Sequence, residues 1–190
     1  MKKDIILAGV GGQGILTIAT VIGQAAISSN MNLKQAETHG MSQRGGDVQS
    51  HLRISTEEIH SDLIPMGGAD LILSVEPMEA LRYLPYLSEN GWLITNSTPF
   101  VNIPNYPDKE EIYQKIKTVK NHVIIDADQI AKDLGAPRSM NIVILGAAVK
   151  TLGLTLQQIE EAIKTIFGRK GDAIVDDNIK ALRAGFEAAK

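Results

Sequence analysis

The spacing of apolar residues changes along this chain, and each change predicts an element. DIILAGV (4–10) is a short continuous apolar run, as expected of a buried strand. ILTIATVIGQAAISS (15–29) places Ile15, Ile18, Ala19, Ile22 and Ala26 at helical spacing, which predicts a helix with one face on a sheet. LKQAE (33–37) fits a second strand. DVQSHLRIS (47–55) alternates: Val48, Ser50, Leu52 and Ile54 fall on one side, and Gln49, His51 and Arg53 on the other. It predicts a strand with one polar face. ADLILSVEP (69–77) is a further strand, followed by a short helix over 78–87 that ends near Pro85. GWLITNS (91–97) and HVIIDA (122–127) read as two more strands. The stretch 96–108 between them, with Pro99, Pro104 and Pro107, predicts an extended surface loop.

The last third has another character. SMNIVILGAAVKTLG (139–153) is apolar almost all round, so it predicts a buried or interface helix. Thr155 and Gln158 form a capping box ahead of LQQIEEAIKTIF, and a last helix is expected over 176–190. The fold class is therefore α/β: a Rossmann-like, mainly parallel sheet with helices on both faces and a helical C-terminal third. Residues 1–190 are expected to form a single domain.

Gly9-x-Gly11-x-x-Gly14 follows the first strand and opens the first helix. Glycines there let backbone N–H groups approach an anion at a helix N-terminus. Glu37 follows Gly14 by 23 residues, near where a dinucleotide-binding domain places an acid for the ribose. Two details weigh against a dinucleotide. Gly12-Gln13 puts a polar amide in the turn, and the segment after Glu37 is not a usual second βα unit. The same glycines also suit any tight strand-to-helix turn.

ETHGMSQRGGDVQS (37–50) is polar and glycine-rich. Gln43, Arg44, Gly45 and Gly46 could present a guanidinium and backbone N–H groups to a phosphate or carboxylate, or could simply form a loop. His39, His51 and His60 lack metal-ligand spacing and read as hydrogen-bonded surface or interface groups. Glu76 lies at a strand's C-terminal end, and either faces a ligand or caps the helix after it. No Ser–His–Asp order or nucleophile elbow is present, so no catalytic residue is assigned.

Composition narrows the classes. Aromatic residues make up only 4%, so the core must rest on aliphatic side chains. A net charge of −3 gives no electrostatic case for nucleic acid. No apolar run reaches the roughly 18–20 residues of a membrane span. The N-terminal MKKDIILAGVGG reads as a first strand rather than a signal peptide. With no cysteine, the chain has no disulfide, thiolate metal site or iron–sulfur ligation of its own. That is compatible with a reducing cytoplasm.

Together GVGGQGIL (9–16), ETHGMSQRGGDV (37–48), SHLRI (50–54), ADLILSVEP (69–77) and MNIVILGAA (140–148) resemble the gamma-type subunits of 2-oxoacid:ferredoxin oxidoreductases. The stretch 37–46 is similar to the small (beta) subunit of the indolepyruvate branch. The resemblance covers nearly the full chain. It implies a subunit, inactive alone, of a complex that decarboxylates an aryl pyruvate, sends electrons to ferredoxin and transfers the acyl group to coenzyme A. Thiamine diphosphate, magnesium and [4Fe–4S] clusters would belong to the large (alpha) subunit, and this chain would hold no cofactor tightly. Gly9, Gly11, Gly12, Gln13 and Gly14, with Gln43, Arg44, Gly45 and Gly46, would face that subunit and the coenzyme A approach. Purified alone, the chain could form a homodimer through the uncovered surface. The alternatives are a stand-alone NAD(P)- or FAD-binding oxidoreductase, a pyruvate or 2-ketoisovalerate branch of the same family, and a nucleotide-sensing or scaffold module without a reaction.

Overall fold

The first apolar run lies inside a six-stranded sheet of order β2-β3-β1-β4-β5-β6. The computed structural model describes residues 1–40 and 45–189. The strands are β1 (Lys2–Val10), β2 (Asn32–His39), β3 (Asp47–Ser55), β4 (Ala69–Ser74), β5 (Leu87–Asn96) and β6 (His122–Ile125). β1, β4, β5 and β6 pair in parallel, with Leu7 opposite Leu73, Ile72 opposite Leu93 and Ile94 opposite Val123. β3 runs against both its neighbours, with Gly9 opposite Val48 and Glu37 opposite Ser50. The sheet is mainly parallel, as expected, and β2–β3 is an antiparallel pair rather than a second βα unit.

Helices cover both faces. On one side lie α1 (Ile15–Ser28), α4 (Ala127–Asp133), α5 (Met140–Leu152), α6 (Leu156–Phe167) and α7 (Asp172–Ala188). Ile18, Ile22, Val143, Leu145, Ile159 and Leu182 there meet Ile5, Leu7, Leu52 and Leu73 of the sheet. Burial of each such side chain contributes roughly 1.5–3 kcal/mol. On the other side α2 (Pro77–Arg82) and α3 (Lys109–Lys117) bring Ala80, Ile112 and Ile116 against Ile6, Ile72 and Leu93. The C-terminal helices thus share the larger core. The capping box at α6 forms: Thr155 N donates to Gln158 Oε1 at 2.7 Å, and Gln158 N to Thr155 Oγ1 at 3.2 Å.

Some elements depart from the sequence reading. The helix after β4 stops at Arg82, and a short 3₁₀ turn over Leu84–Tyr86 follows. α7 begins at Asp172, one turn earlier than the apolar spacing suggests. α3 and α4 occur where the pattern gave no helix. Each is short, capped by Asp108 or Asp126, and buries only a pair of residues, Ile112 and Ile116 or Ala127 and Ala131.

The polar side of β3 is covered. Residues 56–68 fold over it: Arg53 Nη1 donates to the carbonyls of Ser61 at 2.9 Å and Leu63 at 3.0 Å. His51 is therefore buried, not a surface group. Its Nδ1 accepts from Ile64 N at 3.0 Å, and Tyr86 packs edge-on at 5.2 Å. Burial first, and the Arg53 charge second, hold the imidazole below its ordinary pKa. The unfolded chain then takes up the proton before the folded one. The stability tied to neutral His51 is complete above the unfolded value of about 6.5, and is lost as pH falls through the lower folded value. In His51→Asn the amide oxygen keeps the acceptor and removes the titration. Urea midpoints at pH 7.5 and about 5.5 should differ less in this variant than in the parent; an equal difference would refute the assignment.

Both ends of the described chain pack on the last turn of α5. Met1 Sδ lies 2.7 Å from where a Cβ on Gly153 would sit, and Lys150 Nζ donates to Ala189 O at 3.0 Å. The glycine turn lies at the opposite, carboxyl edge of the sheet. No described helix is long and apolar enough to cross a membrane.

Candidate functional site

The carboxyl ends of β1, β4 and β5 point to one edge, where open α/β sheets bind ligands. β1 ends at Val10 and the chain turns through Gly11–Gly14 into α1. Gln13 folds inward: its Oε1 accepts from Val10 N at 2.8 Å, and its N–H donates to Val10 O at 3.1 Å. The amide noted in the sequence therefore braces the turn. Gly14 adopts φ +82°, and its carbonyl accepts from Asn141 Nδ2 of α5 at 3.1 Å. A Cβ there would lie 2.4 Å from that same nitrogen, and one on Gly9 would lie 2.3 Å from Val75 Cγ2. These two glycines serve internal packing. The N–H groups of Gly12 and Gly14 meet no hydrogen-bond acceptor among the described residues.

The second glycine segment meets the first. Gly11 N donates to Gly46 O at 2.9 Å, and Gly45 N to Gly11 O at 3.5 Å. The structure thus brings Gly9, Gly11, Gly12, Gln13 and Gly14 together with Gly45 and Gly46. Gln43 and Arg44 lie outside the described residues. A cleft of about 500 Å³ opens beside the turn, lined by Gly11, Gly12, Gly14, Ile15 and Leu16, and by Glu37, His39 and Val48 of the hairpin. Glu37 Oε2 is buried and meets no described hydrogen-bond donor. β3 lies between β2 and β1, so Glu37 stands two strand spacings, about 10 Å, from β1. His39 is exposed with Nδ1 near Gly40 O at 3.3 Å, and exposed His60 lies 3.9 Å from Glu58.

Glu76 caps α2, the structural one of its two readings. Its Oε2 accepts from Glu79 N at 2.8 Å, and the side chain is fully buried. Its Oε1 also accepts from Phe100 N at 3.2 Å and from the Tyr106 hydroxyl. Beside it, Glu79 pairs with Arg82 at 2.7 Å; burial outweighs that pairing and holds the Glu79 carboxyl above its ordinary pKa. Asp47 accepts from the Tyr83 hydroxyl at 3.3 Å. No local pattern signals that 97–106 binds this carboxylate, because the partners are a backbone N–H and a tyrosine far along the chain. No group of three or more described His, Asp or Glu side chains could hold a metal ion. The edge presents backbone N–H donors beside the cleft, the kind of group that meets an anion at a helix N-terminus.

The family model for pyruvate ferredoxin/flavodoxin oxidoreductase matches residues 4–188. The chain belongs to this family. An indolepyruvate oxidoreductase subunit IorB from Archaeoglobus fulgidus is 37% identical over 198 residues, covering 100% of this chain and 96% of the relative. Among solved structures, the gamma subunit of a keto/oxoacid ferredoxin oxidoreductase from Geobacter sulfurreducens superposes with a TM-score of 0.73 at 27% identity, over 98% of each chain. The 2-oxoglutarate:ferredoxin oxidoreductase of Magnetococcus marinus, solved with 2-oxoglutarate, coenzyme A and succinyl-CoA bound, shares the fold. Its TM-score is 0.78 at 22% identity, covering 99% of this chain but 31% of that one. The pyruvate ferredoxin/flavodoxin oxidoreductase fold thus occurs both as a separate chain and as part of a longer one.

Proposed function

We propose that this chain is the small subunit of an indolepyruvate-type 2-oxoacid:ferredoxin oxidoreductase and is inactive alone. The complex converts an aryl pyruvate to its acyl-CoA and passes electrons to ferredoxin. The large subunit would carry thiamine diphosphate with its magnesium, which would supply the decarboxylation chemistry, and the [4Fe–4S] clusters. A chain without cysteine has no thiolate for such clusters, which agrees with this division. A reducing cytoplasm suits such a complex.

Within it, the Gly9–Gly14 turn and the Gln43–Gly46 segment face the large subunit and border the approach of coenzyme A. The observation that carries this reading is the pairing of Gly11 with Gly46, which joins two glycine segments into one donor-rich edge. Backbone N–H groups at the start of a helix suit a phosphate-bearing ligand. NAD or FAD is not expected there. A ribose acid one strand further out than the nucleotide-binding arrangement requires does not fit such a cofactor.

The test is Arg44→Ala in the complex reconstituted with its large subunit. Loss of one charge-assisted contact should raise the apparent KM for coenzyme A by roughly tenfold in a viologen-dye assay with indolepyruvate. Unchanged KM together with unchanged assembly would sink the reading. Titrating the isolated chain with NADH or FAD checks the stand-alone alternative, and tight binding would favour it.

A further inference from the structure

Residues 97–106 cross the carboxyl edge of the sheet as a strap fixed at both ends. Ser97 N donates to Ile125 O at 2.8 Å, and the Tyr113 hydroxyl donates to Ser97 O. Further on, Phe100 N and the Tyr106 hydroxyl share one oxygen of the buried Glu76 carboxylate. The backbone between those two anchors projects as a short arch. From it, Asn102 Nδ2 donates to Gly45 O at 2.6 Å. Gly45 N in turn reaches Gly11 O at 3.5 Å, and Gly46 O takes the Gly11 N–H at 2.9 Å. A continuous line of contacts therefore runs from Glu76 through the strap to the glycine turn.

We propose that the strap holds the Gly45–Gly46 segment against the turn, and that Asn102 is a positioning residue for coenzyme A. The coenzyme A part rests on the reading given under the proposed function. The Asn102 side chain is exposed, so its amide adds little to the core. Its one described hydrogen bond goes to the carbonyl of Gly45, whose own N–H reaches the glycine turn at Gly11. Glu76 fixes the arch from below by holding both of its ends with one oxygen, while its other oxygen caps α2. An arch tied at two points by a buried carboxylate can present a side chain at a constant place despite its exposure. The tie also makes the strap part of the sheet edge rather than a free loop.

The experiment compares Asn102→Ala with Val101→Ala, its exposed neighbour, in the assembled complex. Two readouts are taken: amide hydrogen exchange in the peptide spanning 45–49, and steady-state kinetics with coenzyme A varied. Asn102→Ala should speed exchange over 45–49 and raise the apparent KM for coenzyme A about three- to tenfold, with kcat at saturation within about twofold. Val101→Ala should behave like the parent in both. Unchanged exchange in Asn102→Ala overturns the proposal whatever the kinetics. Faster exchange with an unchanged KM, where Arg44→Ala does raise it, overturns the positioning role and leaves the coenzyme A reading standing. If neither Asn102→Ala nor Arg44→Ala moves the KM, the coenzyme A reading falls and the positioning role falls with it.

Discussion

Replacing Gly185 with alanine is expected to lower the stability of the chain by about 2 kcal/mol or more, roughly 4–8 °C in melting temperature for a chain of this size. α5 and α7 cross with their backbones in contact. A Cβ on Gly185 would lie 1.9 Å from Val143 O and 3.1 Å from Ala147 N, and one on Gly146 would lie 2.1 Å from Leu182 O. Neither atom met is the end of a flexible side chain, so the helices must separate. Helix propensity works the other way, since alanine is favoured over glycine by roughly 1 kcal/mol in a helix interior. The sign of the result therefore decides which effect wins. Separation also opens gaps around Val143, Ala147 and Leu182, all buried in the main core, and lost packing adds to the strain. A melting temperature equal to or above the parent's would refute the described crossing.

Asp4→Ala is expected to cost about 3–5 kcal/mol in urea unfolding near pH 7. The Asp4 side chain is 3% exposed and the Arg53 side chain 12%. They form a two-pronged pair, Nε to Oδ1 at 2.7 Å and Nη2 to Oδ2 at 3.1 Å. Removing the carboxylate leaves a guanidinium in a covered place without its counter-charge. Arg53 also anchors residues 61 and 63, so the segment folded over His51 should loosen with it. The double variant Asp4→Ala/Arg53→Met should recover much of the loss, because an apolar replacement of a buried ion pair leaves no charge to strand. A loss below about 1 kcal/mol in the single variant, or none recovered in the double, would show that the pair is solvated.

The legible parts of this fold are those whose burial is periodic. Ile15, Ile18, Ala19, Ile22 and Ala26 announced α1 because a helix on a sheet buries one stripe, and all five are buried. The run 69–77 announced β4 because a central parallel strand is covered on both faces. α3 and α4 were silent because a helix that buries only two residues leaves no pattern in the sequence. The direction of β3 was also hidden. Alternation fixes which side chains share a face, but not whether the strand runs up or down the sheet. His51 was misplaced for a related reason: its covering segment, 56–68, has no regular structure to reveal that it folds back.

At the site, the glycine spacing was legible because close backbone approach admits few other residues. Its use was not. Gly9 and Gly14 answer to Val75 and Asn141, which lie far away in sequence, and no local signal carries that information. The double role of Glu76 was half visible, since an acid ahead of a helix suggests a cap. Its grip on Phe100 and Tyr106 depends on how the strap returns, which only the folded chain displays.

The packing of Met1 and Ala189 on one end of α5 bears on gene architecture. Met1 and Ala189 lie near each other, at the edge of the sheet opposite the glycine turn. A linker attached at either end would leave the carboxyl edge uncovered, and one inserting this unit between two others would need to span only a short distance. Splitting or joining genes at these points would alter the number of polypeptides while leaving the carboxyl edge of the sheet untouched.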